Sequence, residues 1–102
     1  MDDHKKAFAR IQAEDRRLCI LDFLKEVVDG KSNDFVLQTA LERLGHVVTR
    51  TAVQADLRFL QEADLVVLDE LEFVVVCQLT EAGRDVATGR TTAQGVKKPT
   101  RV

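Results

Sequence analysis

Residues 47–79 read VVTRTAVQADLRFLQEADLVVLDELEFVVVCQL, and the way this stretch folds decides the rest of the chain. Its first half predicts a helix over 49–63. Thr49 is suited to cap it, with a hydroxyl free to accept from backbone N–H groups of the first turn. Val48 before the cap and Val53 inside it have the spacing of a hydrophobic staple. Around this helix Val53, Leu57 and Leu60 make an apolar stripe, and Arg50, Gln54, Arg58 and Gln61 make a polar stripe beside it. Two β-rich runs follow at once, Leu65–Asp69 and Glu72–Leu79, with a connection short enough for a hairpin.

Working outward toward the N-terminus, a second helix is expected from about Asp34 to Leu44. Ser32, Asn33 and Asp34 offer capping side chains, Leu37, Ala40, Leu41 and Leu44 form its buried face, and Gly45 stops it. Before it, Ile20, Leu21, Leu24, Val27 and Val28 recur at helical spacing over about Glu14–Val28, and Gly30 ends that helix. Residues 1–13 read as a polar, partly helical segment with a frayed start. On the C-terminal side, Thr80 can cap a short helix, Glu81–Thr88, that Gly89 terminates. Residues 90–102 hold the only proline, Pro99, and read as a flexible basic tail.

Composition sets limits on function. A chain of 102 residues, 45% hydrophobic and 31% charged, suits one domain with a real core. It has no apolar run of the ~20 residues that span a bilayer, and no signal-peptide pattern at its start. The expectation is a cytoplasmic protein without membrane contact. Cys19 and Cys77 are isolated thiols, expected as small buried hydrophobes. The net charge of −2 conceals an imbalance: residues 1–89 sum to −6, and residues 90–102 to +4.

Three helices with short connections, then a hairpin and a short helix, give an α+β, mostly α chain. The expected architecture over residues 14–89 is a winged helix-turn-helix: three-helix core, β-hairpin wing and short C-terminal helix. A resemblance agrees with this. Leu44-Gly45-His46-Val47-Val48-Thr49-Arg50, then Ala55-Asp56-Leu57 and Leu65-Val66, is similar to a small winged-helix protein of Mu-like phages and prophages. That protein is often labelled an ArsR-like transcriptional regulator. Leu79-Thr80-Glu81-Ala82-Gly83, Asp85-Val86-Ala87, Gly89-Arg90 and the ending Gly95-Val96-Lys97-Lys98-Pro99 fit the same pattern. The similarity runs from about Asp15 to Pro99, and what it implies is the winged-helix fold.

The leading functional expectation is DNA binding in transcriptional control, with double-stranded DNA as partner. Arg50, Gln54 and Arg58 would read base edges in the major groove, since Arg pairs with guanine and Gln with adenine in bidentate fashion. Thr49 and Thr51 would contact phosphate. Lys97, Lys98 and Arg101 of the tail would lie along the backbone, helped by Lys5, Lys6, Arg10, Arg16 and Arg17 near the start. A homodimer would double this surface, with Phe8, Ile11 and Leu18 as its apolar contacts. Charge argues the other way. Residues 34–72 carry three basic and eight acidic side chains, and the wing tip Asp69-Glu70-Leu71-Glu72 is acidic. The alternative is a winged-helix module that binds another protein, such as a phage adaptor, and not DNA.

An enzyme is not expected. His4 and His46 have no Cys, Asp or Glu at metal-ligand spacing, and neither a phosphate loop nor a nucleophile elbow is present. No metal and no cofactor are expected, and the metal sensing that an ArsR-like label suggests has no ligand cluster in the sequence.

Overall fold

The computed structural model describes residues 3–100. Its elements run α1 (Asp3–Glu26), β1 (Lys31–Asn33), α2 (Asp34–Arg43), α3 (Arg50–Glu62), β2 (Val66–Glu70), β3 (Val75–Leu79) and α4 (Glu81–Ala87). The strands form one antiparallel sheet in the order β1-β3-β2. The result is a small, mostly helical α+β protein with four helices packed about a three-stranded sheet.

The helix ends follow from local chemistry. Asn33, Thr49 and Thr80 are the N-caps of α2, α3 and α4, each accepting from the backbone N–H three residues on. At the end of α2, Gly45 turns left-handed (φ 93°), so that His46 N–H reaches the Leu41 carbonyl at 2.8 Å and Gly45 N–H reaches Glu42 at 3.1 Å. The same pair of bonds closes α3 with Asp64 in the left-handed position, where only a short polar side chain is tolerated without glycine. These two stops give the chain its sharp turns, one between α2 and α3 and one from α3 into β2.

The core gathers Leu18, Ile20, Leu21 and Leu24 of α1, Leu37 and Leu41 of α2, and Val53, Leu57 and Leu60 of α3. Val66, Val75 and Cys77 of the sheet and Val86 of α4 close it. The hairpin pairs Val66 with Leu79 and Glu70 with Val75 across a four-residue tip, 71–74.

Several expectations are corrected. The first helix does not begin near Glu14: α1 runs unbroken from Asp3, and residues 3–13 are its exposed N-terminal turns. It stops at Glu26, two residues short of the expected end, so Val28 falls in the turn and is 98% exposed. Leu44 is the C-cap of α2, past its last buried turn, and is also exposed. Leu18, expected on the surface, is core. Strand β1 was not expected, because Ser32 and Asn33 read as capping residues. Its three residues pair with Val76–Gln78 of β3.

The segment after α4 is anchored to the body of the domain through residues 95–97. Val96 is buried, Lys97 N–H donates to the Glu14 carbonyl (3.1 Å), and Arg17 donates to the Gly95 carbonyl (3.0 Å). Gly95 (φ 86°) passes so close to the Phe59 ring that a Cβ there would overlap it. The tail is therefore tied down across α1 and α3 as far as Lys97.

Candidate functional site

Two buried carboxylates organise the polar face of the domain. Asp34, the first residue of α2, has no solvent exposure. Its Oδ1 accepts from Val75 N–H (3.2 Å), and its Oδ2 accepts from Gln54 Nε2 (2.8 Å) and Arg50 (3.3 Å). Arg50 also donates to the Phe73 carbonyl (3.2 Å) and lies over the Phe35 ring, 4.1 Å from its centre. One guanidinium thus knits the start of α2, the start of α3 and the hairpin tip together. Asp56 is the second carboxylate, buried in α3 and bracketed by Arg16 (2.6 Å) and Arg17 (3.1 Å) of α1. Arg17 additionally stacks on Phe59 at 3.8 Å. Among the described residues, no buried side-chain N or O atom lacks a hydrogen-bond partner.

Each residue expected at a DNA interface has a definite place. Arg50 and Gln54 converge on Asp34. Arg58 is exposed and pairs with Glu70 of the hairpin at 2.8 Å, which lowers the Glu70 pKa from its usual value and raises that of Arg58. The Thr49 hydroxyl accepts from Ala52 N–H as the cap, and Thr51 is exposed beside it. Lys97 reaches Asp15 at 3.4 Å, and Lys98 is exposed. Arg101 lies outside the described residues. Of the basic residues expected to help from the N-terminal segment, Arg16 and Arg17 hold Asp56 instead. The outward stripe of α3 is Thr51, Ala55, Arg58 and Glu62, which carries one cation and one anion.

Phe35 and Phe73 are large aromatic side chains on the surface (49% and 76% exposed). Leu71 and Val36 are exposed with them, on the same hairpin tip and helix start. An open groove of about 470 Å³ continues from Phe35 and Val36 along α2, lined by Phe23, Thr39, Ala40 and Arg43. The hairpin's Asp69, Glu70 and Glu72 are exposed and make an acidic rim.

His46, expected to lack metal-ligating partners, acquires them through the fold. Its Nε2 lies 2.7 Å from Asp15 Oδ2, and Cys19 Sγ lies 3.9 Å from the same oxygen. Asp15 and Cys19 are one turn apart on α1, separated from His46 by some thirty residues of chain, so the trio is invisible to spacing. His46 and Lys97 hold the Asp15 carboxyl below its usual pKa. Burial and the Asp15 charge push the Cys19 thiol up to about 11.

With this geometry in hand, sequence comparison places the chain. It is 40% identical over 89 residues to "Uncharacterized protein gp26" of Escherichia phage Mu, an alignment covering 87% of this chain and 92% of that protein. The chain belongs to the gp26 family of Mu-like phage proteins. No family model matches it, and no solved structure matches it. No helix among the described residues is long and apolar enough to cross a membrane.

Proposed function

We propose that this gp26-family protein is a winged helix-turn-helix domain that works as a protein-interaction module in the host cytoplasm. The wing is β2–β3, and the interaction surface is the apolar patch of Phe35, Val36, Leu71 and Phe73. The observation that carries this reading is the seating of Arg50. Its guanidinium donates to Asp34 and to the Phe73 carbonyl and lies over the Phe35 ring, so it is engaged within the domain and ties the backbone of the hairpin tip to the start of α2, where Phe35 is exposed. Exposed aromatic side chains beside a pinned Arg are the composition of interface anchors. The acidic rim specifies a partner whose contact surface is apolar at its centre and basic at its edge. The domain carries no catalytic role in this reading.

The second reading is DNA binding, favoured by one observation: Arg58 and Thr51 remain on the outer face of α3, and an exposed Arg–Glu pair exchanges readily for a phosphate contact. A homodimer with Phe8 and Ile11 on its seam would serve either reading.

The experiment is co-expression of the tagged protein with the other genes of its phage. Retention of a phage protein by the parent, and its loss with Phe35→Ala/Phe73→Ser, is the expected result. Fluorescence anisotropy with phage and host promoter DNA runs alongside. Saturable DNA binding that survives near-physiological salt, lost in Arg58→Ala and kept in Phe35→Ala/Phe73→Ser, overturns the interaction reading in favour of the second.

A further inference from the structure

We infer that Asp15, Cys19 and His46 form a binding site for a first-row divalent cation of borderline softness, of which Zn²⁺ is the type. The three candidate ligand atoms, Asp15 Oδ2, Cys19 Sγ and His46 Nε2, all lie within 4.8 Å of one another. Zinc bonds of about 2.0–2.3 Å to O, N and S in a tetrahedron hold ligand atoms roughly 3–4 Å apart. The 2.7 Å contact of His46 with Asp15 must therefore open slightly, and the thiol, 3.9 Å from the same oxygen, must close in on the cation. Thiolate plus imidazole selects zinc-like ions over Mg²⁺ or Ca²⁺, which take oxygen ligands. With three protein ligands the fourth position belongs to water.

The backbone holds these groups on well-defined elements. Asp15 and Cys19 share one face of the longest helix. His46 is fixed by its own N–H bond to the Leu41 carbonyl and keeps only a tenth of its side-chain surface in solvent. Lys97 contacts the other carboxylate oxygen, Oδ1, at 3.4 Å. It leaves Oδ2 to the cation and orients the carboxylate from behind, as outer-shell partners of metal ligands do. Binding expels the thiol proton of Cys19, so affinity rises with pH. The cation would clamp α1 to the turn that launches α3, whichever partner the domain has.

The test uses full-length protein freed of any polyhistidine tag and stripped with chelator, titrated with Co²⁺ as a spectroscopic probe. The expected result is a thiolate-to-cobalt charge-transfer band with intense tetrahedral d–d bands, saturating at one equivalent and bleached by Zn²⁺. Cys19→Ser removes the charge-transfer band. His46→Gln and Asp15→Asn each weaken Co²⁺ binding by at least about tenfold. Cys77→Ser leaves the spectrum intact, which excludes the other thiol as its source. Circular dichroism establishes that each variant is folded, and Zn²⁺ raises the melting temperature of the parent but not of folded Cys19→Ser. Absence of the charge-transfer band in the parent, or its persistence in Cys19→Ser, overturns the site. So does parental affinity in His46→Gln.

Discussion

Asp34 Oδ2 and Gln54 Nε2 meet at 2.8 Å across the α2–α3 junction, with the carboxylate wholly buried. The packing of α2 on α3 thus includes a polar contact as well as the apolar core to which Leu37, Leu41, Val53 and Leu57 belong. Because Val75 N–H binds the other oxygen, the same carboxylate also fixes the distance from α2 to β3.

Removing it should be costly. Asp34→Ala leaves a buried backbone N–H and a half-buried amide without an acceptor, and Arg50 without its counter-ion. The expected loss is about 2–4 kcal/mol, read from urea denaturation. Gln54→Ala removes one donor of three and should cost less than half as much. Equal losses would mean that Asp34 acts through Gln54 alone.

Asp56 poses a different question, because two arginines share it. Arg16→Ala and Arg17→Ala each leave the carboxylate one cation, so each single loss should be modest. The double variant strands a buried charge and should lose about 3–5 kcal/mol, well beyond the sum of the singles. A double-mutant cycle in denaturant measures the excess. Simple additivity would show that Asp56 is hydrated after the first substitution.

Much of the scaffold was legible because short-range chemistry decides it. Thr49, Asn33 and Thr80 act as caps where their side chains can reach the next turn's N–H groups, and glycines at 45 and 89 stop helices where a left-handed residue is needed. Asp56 also announced itself, in retrospect. It falls in phase with Val53, Leu57 and Leu60 on the apolar stripe of α3, and a carboxylate in that phase needs a buried cation. Other features depend on long-range contacts that no local pattern carries. The fate of Arg50 hinges on a hairpin tip more than twenty residues away. The His46 cluster hinges on a helix thirty residues earlier. Strand β1 is three residues long and exists only because β3 is there to pair with it.

The tail offers a test of such a long-range contact. Gly95 has a φ of 86° and lies against the Phe59 ring, so Gly95→Ala meets both a strained backbone and an occupied volume. The expected cost is about 1–3 kcal/mol. The more telling readout is limited proteolysis, in which cleavage within residues 90–100 should accelerate while the body stays protected. Unchanged protection would mean that Val96 and Lys97 hold the segment without Gly95.

The buried thiol of Cys77 makes stability depend on alkaline pH. Burial, with a smaller push from the Asp34 charge, raises its pKa from 9.0 to about 11, against a hydrogen bond from Ser32 that lowers it. The thiolate is thus disfavoured in the folded protein, and the unfolded chain gives up this proton first. The stabilisation is complete below pH 9, declines as pH rises, and is gone once pH passes about 11. Its size is on the order of 2–3 kcal/mol. Cys19 titrates in the same sense, so the measurement belongs in a Cys19→Ser background. There, urea midpoints at pH 8, 9, 10 and 11 should fall with a slope that Cys77→Ala flattens. Cys77→Ala should also begin from a lower midpoint, because a cavity replaces the sulfur. If the alkaline slope of Cys77→Ala matches that of its parent, the thiol is not the titrating group and the lysines must account for the loss.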